Sequence, residues 1–275
     1  MNSTVVHSGP PADPLPDFQP LAVDGCEAVV LQVQQLVKSY GRGGRPAVDG
    51  LTFDVQEGEA FGLLGPNGAG KTTAISVMCT LLRPTAGSVH LDGIDVQAEP
   101  GRVRRLLGLV PQEIALYPRL TGRENLRYFA RLYGLKGLEL EERVADALEL
   151  VQLQEHADRP VNSYSGGMKR RANLAAGMLH QPRILFLDEP TVGIDAQSRN
   201  LILDSLSRLR QAGTTLVYTT HYMEEAQQLC NRVAIMDGGR IIAEGEPAAL
   251  IAGRAGCANL EQLFLQLTGS HLRDD

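Results

Sequence analysis

The stretch GPNGAGKTT, Gly65 to Thr73, constrains this chain more than any other. It follows the short apolar run AFGLL and precedes a helix-compatible stretch from Lys71 to Leu82. Strand, glycine-rich loop and helix in that order open an α/β unit. The spacing is G-x-x-x-x-G-K-[ST], a phosphate loop made of Gly65, Pro66, Asn67, Gly68, Ala69, Gly70, Lys71, Thr72 and Thr73. Bare backbone N–H groups converge there on a phosphate that larger side chains would obstruct. Lys71 brings a positive charge to the β and γ oxygens, the Thr72 hydroxyl can ligate Mg²⁺, and the helix start adds its dipole.

A second stretch, ILFLDEP, supplies carboxylates. An apolar strand that ends in Asp188 and Glu189 is costly unless those acids meet a cation or a substrate. Asp188 stands where a Mg²⁺-holding aspartate is expected, and Glu189 where a glutamate can polarise an attacking water. TTLVYTTHYMEEA puts His221 at the end of another buried strand, where α/β sheets gather their ligands. His221 is thus either a structural histidine or a group that reaches the γ-phosphate. Gln112, after LGLVP, has two readings as well: it faces solvent, or it meets Mg²⁺ or the nucleophilic water.

NSYSGGMKRR, Asn162 to Arg171, raises a different problem. Glycine usually closes a helix, yet Ser165, Gly166 and Gly167 open one. A serine and bare N–H groups at a helix start make an anion site. The chain already has one phosphate cradle, so the identity of this second anion is open.

Around these stretches the pattern divides into blocks. Residues 1–27 are rich in proline (Pro10, Pro11, Pro14, Pro16, Pro20) and read as a flexible tail. From Val29, VVLQVQQLVKSY and AVDGLTFDV alternate like antiparallel strands around the loop GRGGRP. SVHLDGIDV reads as a hairpin and LLGLVPQ as a strand. A helical block follows, about 113–175. Thr121 and Glu124 fit a capping box, Leu126, Phe129, Leu132 and Tyr133 recur at helical spacing, and a second helix is expected from Glu141 to Val151. Helices alternate with buried strands to Gly245, RVAIMDGGRIIAEG reads as a hairpin about Gly238 and Gly239, and 246–275 is a helical extension. The fold class is α/β.

Composition closes off several functions. The net charge of −6 and pI of about 5.6 leave no broad phosphate-backbone surface, so nucleic acid is not an expected partner. Lys169–Arg171 and Arg102, Arg104 and Arg105 read as solvated helix faces. The four cysteines, Cys26, Cys79, Cys230 and Cys257, lack metal-ligand spacing and suit a reducing cytosol. No apolar segment approaches the ~18 residues of a membrane span, and no h-region marks a signal peptide.

The ordered set GPNGAGKTT, LVPQE, YSGGM, ILFLDEP, GID and TTH resembles the nucleotide-binding domain of ABC transporters, from about Val29 to Gly245. That resemblance implies a P-loop NTPase with a RecA-like core, an antiparallel β-subdomain and a helical subdomain. It implies ATP and Mg²⁺ as cofactors, Tyr40 stacking on adenine, Gln112 as the Q-loop, Asp195 as the D-loop and His221 as the switch histidine. It also answers the Ser-Gly-Gly question. Ser165 and Gly167 close over the γ-phosphate of a second ATP-binding subunit, most simply a copy of this chain, and the glycines let that phosphate approach the backbone. Departures are Tyr164 and Met168 in the signature, where leucine and glutamine are usual, and Ile194 in place of the D-loop leucine. LFLDEPTVGIDAQSR, the region after His221 and ANLEQLFLQLTG are similar to ABC-2 type exporter ATPases, the group of daunorubicin-type resistance, nodulation-factor and polysaccharide or lipid exporters.

The expectation is therefore a cytoplasmic ATPase, peripheral on the inner face of the membrane. It energises an integral-membrane permease that docks on the helical block through Tyr117, Leu120 and Phe129. A soluble ABC-type ATPase acting on ribosomes or DNA is the alternative, against which stand the single cassette and the acidic pI. A P-loop kinase or GTPase conflicts with the SGG stretch and with the glutamate after Asp188.

Overall fold

Alternating burial builds the first sheet. In the computed structural model, which describes residues 28–41 and 43–269, β1 (Val29–Lys38) pairs antiparallel with β2 (Val48–Gln56). Leu31 and Val33 point into the core, and a bulge at Gln35, with φ 46°, returns Leu36 to the same side. The chain continues through β3 (Ala60–Leu64), α1 (Lys71–Met78), β4 (Ala86–Leu91) and β5 (Ile94–Asp95). β2-β1-β4-β5 form a four-stranded antiparallel sheet, with the expected hairpin at β4 and β5.

The remainder is α2 (Pro100–Leu106), β6 (Leu107–Val110), α3 (Gly122–Leu132), α4 (Gly137–Leu150), α5 (Gly166–Met178), β7 (Ile184–Asp188), α6 (Ala196–Gln211), β8 (Thr215–Thr220), α7 (Met223–Leu229), β9 (Arg232–Asp237), β10 (Arg240–Gly245), α8 (Pro247–Ala252) and α9 (Leu260–Thr268). A six-stranded sheet runs β10-β9-β3-β8-β7-β6, parallel except for the β9–β10 hairpin. Its central strands are buried on both faces, which is why they read as unbroken apolar runs. On β7, Ile184 and Phe186 pack toward α1 and the antiparallel sheet, whereas Leu185 and Leu187 pack toward the helical block. The period of two thus splits one strand between two cores, at about 1.5–3 kcal/mol of burial per large side chain.

The helical block has its own interior. The capping box is formed: Glu124 N donates to Thr121 Oγ1 (3.1 Å) and Thr121 N to a Glu124 carboxylate oxygen (2.8 Å). Leu126 and Ala130 of α3 meet Leu140, Val144 and Leu148 of α4. Leu132 is not part of this interior; it is 66% exposed, because the buried stripe on α3 passes through Asn125, Leu126 and Ala130. The second helix starts at Gly137, one turn before the expected Glu141.

One further expectation is corrected. The helix after the phosphate loop ends at Met78 rather than Leu82, because Thr80 turns left-handed (φ 62°) and the Leu81 and Leu82 amides return to the Ser76 carbonyl. α2 was not foreseen. The described part of 246–275 forms α8 and α9, and Leu260, Leu263 and Phe264 of α9 are buried with Ala226 and Leu229 of α7. The proline-rich residues 1–27 lie outside the described residues.

Candidate active site

β3, β8 and β7 are neighbours, and all three end at one edge of the sheet. In parallel α/β sheets that edge collects ligands. Here it collects the phosphate loop after β3, Asp188 and Glu189 at the end of β7, and His221 after β8. Hydrophobic strands thus carry the phosphate loop, two carboxylates and an imidazole into one place.

Lys71, the first residue of α1, is buried. Its Nζ donates to the carbonyls of Gly65 (2.7 Å) and Pro66 (3.1 Å) and lies 3.0 Å from Glu189 Oε1. Three protons therefore have three acceptors, which is what a buried ammonium requires. Gly70 makes the turn into α1 with φ 103°, and a Cβ there would overlap the Ala47 carbonyl oxygen. The amides that begin α1 have no side-chain cap, so the positive end of this helix is left to the phosphate loop that leads into it.

Glu189 is also buried, and its other oxygen lies 3.2 Å from His221 Nδ1. Lys71, Glu189 and His221 form one polar chain across three strands. Glu189 has φ 46°, in the left-handed region that favours glycine, and its amide is held by the Thr219 carbonyl (3.2 Å) and hydroxyl (3.1 Å). Asp188 Oδ1 accepts from Thr219 Oγ1 (2.8 Å) and Thr72 Oγ1 (3.2 Å). Burial pushes the Asp188 carboxyl above its ordinary range, and the two hydroxyls pull it back.

That pairing of the Thr72 hydroxyl and the Asp188 carboxylate is an all-oxygen donor set, fitting a hard dication such as Mg²⁺. Positive charge there would offset the desolvation of Asp188. Among the described residues no three His, Cys, Asp or Glu side chains cluster as a self-sufficient metal site. Mg²⁺ commonly takes few protein ligands and leaves the rest to phosphates and water.

The other expected residues take different places. Tyr40 is 67% exposed, and its hydroxyl lies 3.3 Å from Thr73 Oγ1, at the flank of the phosphate loop. The Gln112 side chain is exposed and has no hydrogen-bond partner among the described residues. The Gln112 carbonyl, however, accepts from Arg170, whose other nitrogen donates to Val192 O (3.2 Å). Ser165 is the exposed N-cap of α5 and accepts from Met168 N (3.2 Å). Asp195 caps α6, accepting from Ser198 N (2.9 Å) and Ser198 Oγ (2.8 Å), and these bonds hold its carboxyl below the ordinary range. Gly167 packs directly on Ser198, so α5 and α6 begin side by side. Gly166, by contrast, has open space around it. No hydrogen bond or ion pair among the described residues joins Ser165–Gly167 or Asp195 to the phosphate loop.

Thr219 and Arg170 are the residues that sequence reasoning missed. Thr219 stands two before His221, but its use depends on lying opposite Asp188 in the strand register. Arg170 looked like part of a solvated basic run. Tyr164, a departure from the signature, is buried in the helical block and donates to the His156 carbonyl (2.7 Å).

Residues 48–192 match the family described as ABC transporter. The chain is 43% identical over 245 residues to the linearmycin resistance ATP-binding protein LnrL of Bacillus subtilis, covering 89% of this chain and 76% of that protein. It is 46% identical over 231 residues to the Nod factor export ATP-binding protein I of Burkholderia thailandensis, covering 84% and 75%. It also resembles the dimeric ATP-binding cassette MJ0796 solved in a post-hydrolysis state with ADP and Pi, with TM-score 0.72, 27% identity, and 78% and 98% coverage. A phosphate loop, a buried Lys–Glu–His chain and these likenesses converge on one conclusion: the chain belongs to the ABC transporter family as an ATP-binding subunit, and it is an ATPase.

Proposed function

We propose that this chain energises a separate ABC-2 type membrane permease, which exports a drug, lipid or glycan. The observation that carries the hydrolytic part is the buried chain Lys71–Glu189–His221 at the ends of three adjacent strands. Gly65–Thr73 wraps the phosphates of ATP, with Lys71 on the β and γ oxygens and Tyr40 against the adenine. Thr72, Asp188 and Gln112 would hold Mg²⁺, which when bound would neutralise charge developing on the transferred phosphoryl group. Glu189 orients and deprotonates the attacking water, and His221 steadies Glu189 and the γ-phosphate. Phosphate oxygens and Glu189 compete for the same Lys71 ammonium, so nucleotide binding leaves Glu189 free to take the water.

Ser165, Gly166, Gly167 and Asp195 serve the γ-phosphate held by a second subunit, most simply a copy of this chain. The exposed Ser165 and the open space about Gly166 suit that role. Export is supported by the relatives named for resistance and for Nod factor export. No helix among the described residues is long and apolar enough to cross a membrane, so the translocation path is assigned to a partner. The subunit then works as a peripheral protein at the cytoplasmic face.

Affinity purification from detergent-solubilised native membranes tests this reading. A polytopic membrane protein should co-purify in stoichiometric amount. Recovery with ribosomes or nucleoid alone would overturn the transport assignment and favour the soluble alternative.

A further inference from the structure

Glu225 lies on α7, one turn past His221, and its side chain is 3% exposed. One carboxylate oxygen, Oε2, accepts from three hydroxyls: Tyr218 (2.7 Å), Thr191 (2.8 Å) and Thr220 (3.0 Å). The other oxygen lies 3.2 Å from Arg199 Nε. These partners come from separate elements. Thr191 follows Glu189 by two residues, Tyr218 and Thr220 end β8, and Arg199 is in the first turn of α6, where its amide donates to the Asp195 carbonyl (3.0 Å).

The same partners bracket His221. Thr220 precedes it, and the Thr220 hydroxyl accepts from the Tyr222 amide (2.9 Å). The Tyr222 ring lies 4.1 Å from the His221 ring on one side and 4.9 Å from the Arg199 guanidinium on another. Neither the phosphate loop nor the metal donors touch Glu225. A buried carboxylate is a poor source of net stability, since an apolar side chain of similar volume fills such a site at less desolvation cost. What it supplies here is a fixed geometry among the segments that carry Glu189, Asp195 and His221.

We propose that Glu225 is a positioning residue for ATP hydrolysis, holding His221 against Glu189 and tying that contact to the start of α6. This rests on the role given above to His221. Glu225 touches no reacting atom, so its removal acts through His221. Hence its effect on turnover should vanish once His221 is gone, whereas a merely structural loss would persist.

The test is steady-state ATP hydrolysis by the full chain for Glu225→Gln, His221→Ala and the double variant, with nucleotide affinity measured by equilibrium titration. Glu225→Gln is expected to lower kcat about tenfold or more, with KM for ATP within about twofold, and to lower kcat less than about twofold in the His221→Ala background. Equal losses in both backgrounds, or wild-type kcat in Glu225→Gln beside an impaired His221→Ala, overturn this inference alone. Wild-type kcat in His221→Ala overturns the role of His221 and the inference with it. If Glu225→Gln does not fold, Arg199→Met carries the same test from the more exposed end of the ion pair. Non-additivity with His221→Ala supports the proposal, and additivity overturns it.

Discussion

Glu189 shows what a single position demands. It is buried, stands at φ 46° and shares its two oxygens between Lys71 and His221. A left-handed non-glycine residue stores about 1–3 kcal/mol of strain, kept where surrounding bonds over-determine it. Here the Thr219 carbonyl and hydroxyl hold the amide. Glu189→Gln preserves shape and removes the charge proposed to deprotonate the attacking water. It should bind ATP within a few-fold of wild type and turn it over about a hundredfold or more slowly, as loss of a general base does. Single-turnover kinetics with nucleotide-binding isotherms measures both, and near-normal turnover removes Glu189 from that role. The acids themselves were legible, because two carboxylates ending an apolar strand need a use. Thr219 was not, because only the pairing of β7 with β8 sets it against Asp188.

Between elements, the informative pair is α5 and α6. Both glycines of the SGG stretch were expected to leave backbone bare for a phosphate, but the packing separates them. A Cβ on Gly167 would overlap the Ser198 side chain, whereas one on Gly166 meets only Ile194, at 4.0 Å. Gly167→Ala should therefore force α5 from α6 and cost about 1–3 kcal/mol, as overpacking does. Gly166→Ala should leave stability within about 0.5 kcal/mol, since it fills open space at the first helical turn. Chemical denaturation of the two variants separates these outcomes, and equal stability would refute the packing role of Gly167. Helical periodicity located α5, but it carried no information about which neighbour each glycine meets.

For the whole molecule, the distribution of anion sites matters most. One helix start, at α1, faces the local phosphate loop, and the other, at α5, faces outward on a different part of the chain. If the second subunit completes the site, Ser165→Arg should leave ATP binding by the monomer nearly intact and abolish ATP-dependent dimerisation. Loss of the Ser165 cap will itself cost about 1 kcal/mol, so nucleotide affinity serves as the control for folding. Sedimentation velocity with and without ATP decides it. Dimers at the wild-type level would count against a shared site.

The sequence alone determined the α/β class, the central buried strands and the polar groups at their ends. Those features follow from local chemistry: a glycine loop before Lys71, unbroken apolar runs, and acids where a strand must stop. The alternation of β1 and the Thr121–Glu124 cap are local as well, and both were read from neighbouring residues. Tertiary structure decided what depends on distant partners. It fixed the early end of α1 at Thr80, placed α9 in the main core, and gave Gly167 its contact with Ser198. It also placed Thr219, Arg170 and Glu225, whose partners lie tens of residues away or on adjacent strands. A motif records the group that touches a ligand; the groups that hold it in place are chosen by register and packing, which no local pattern encodes.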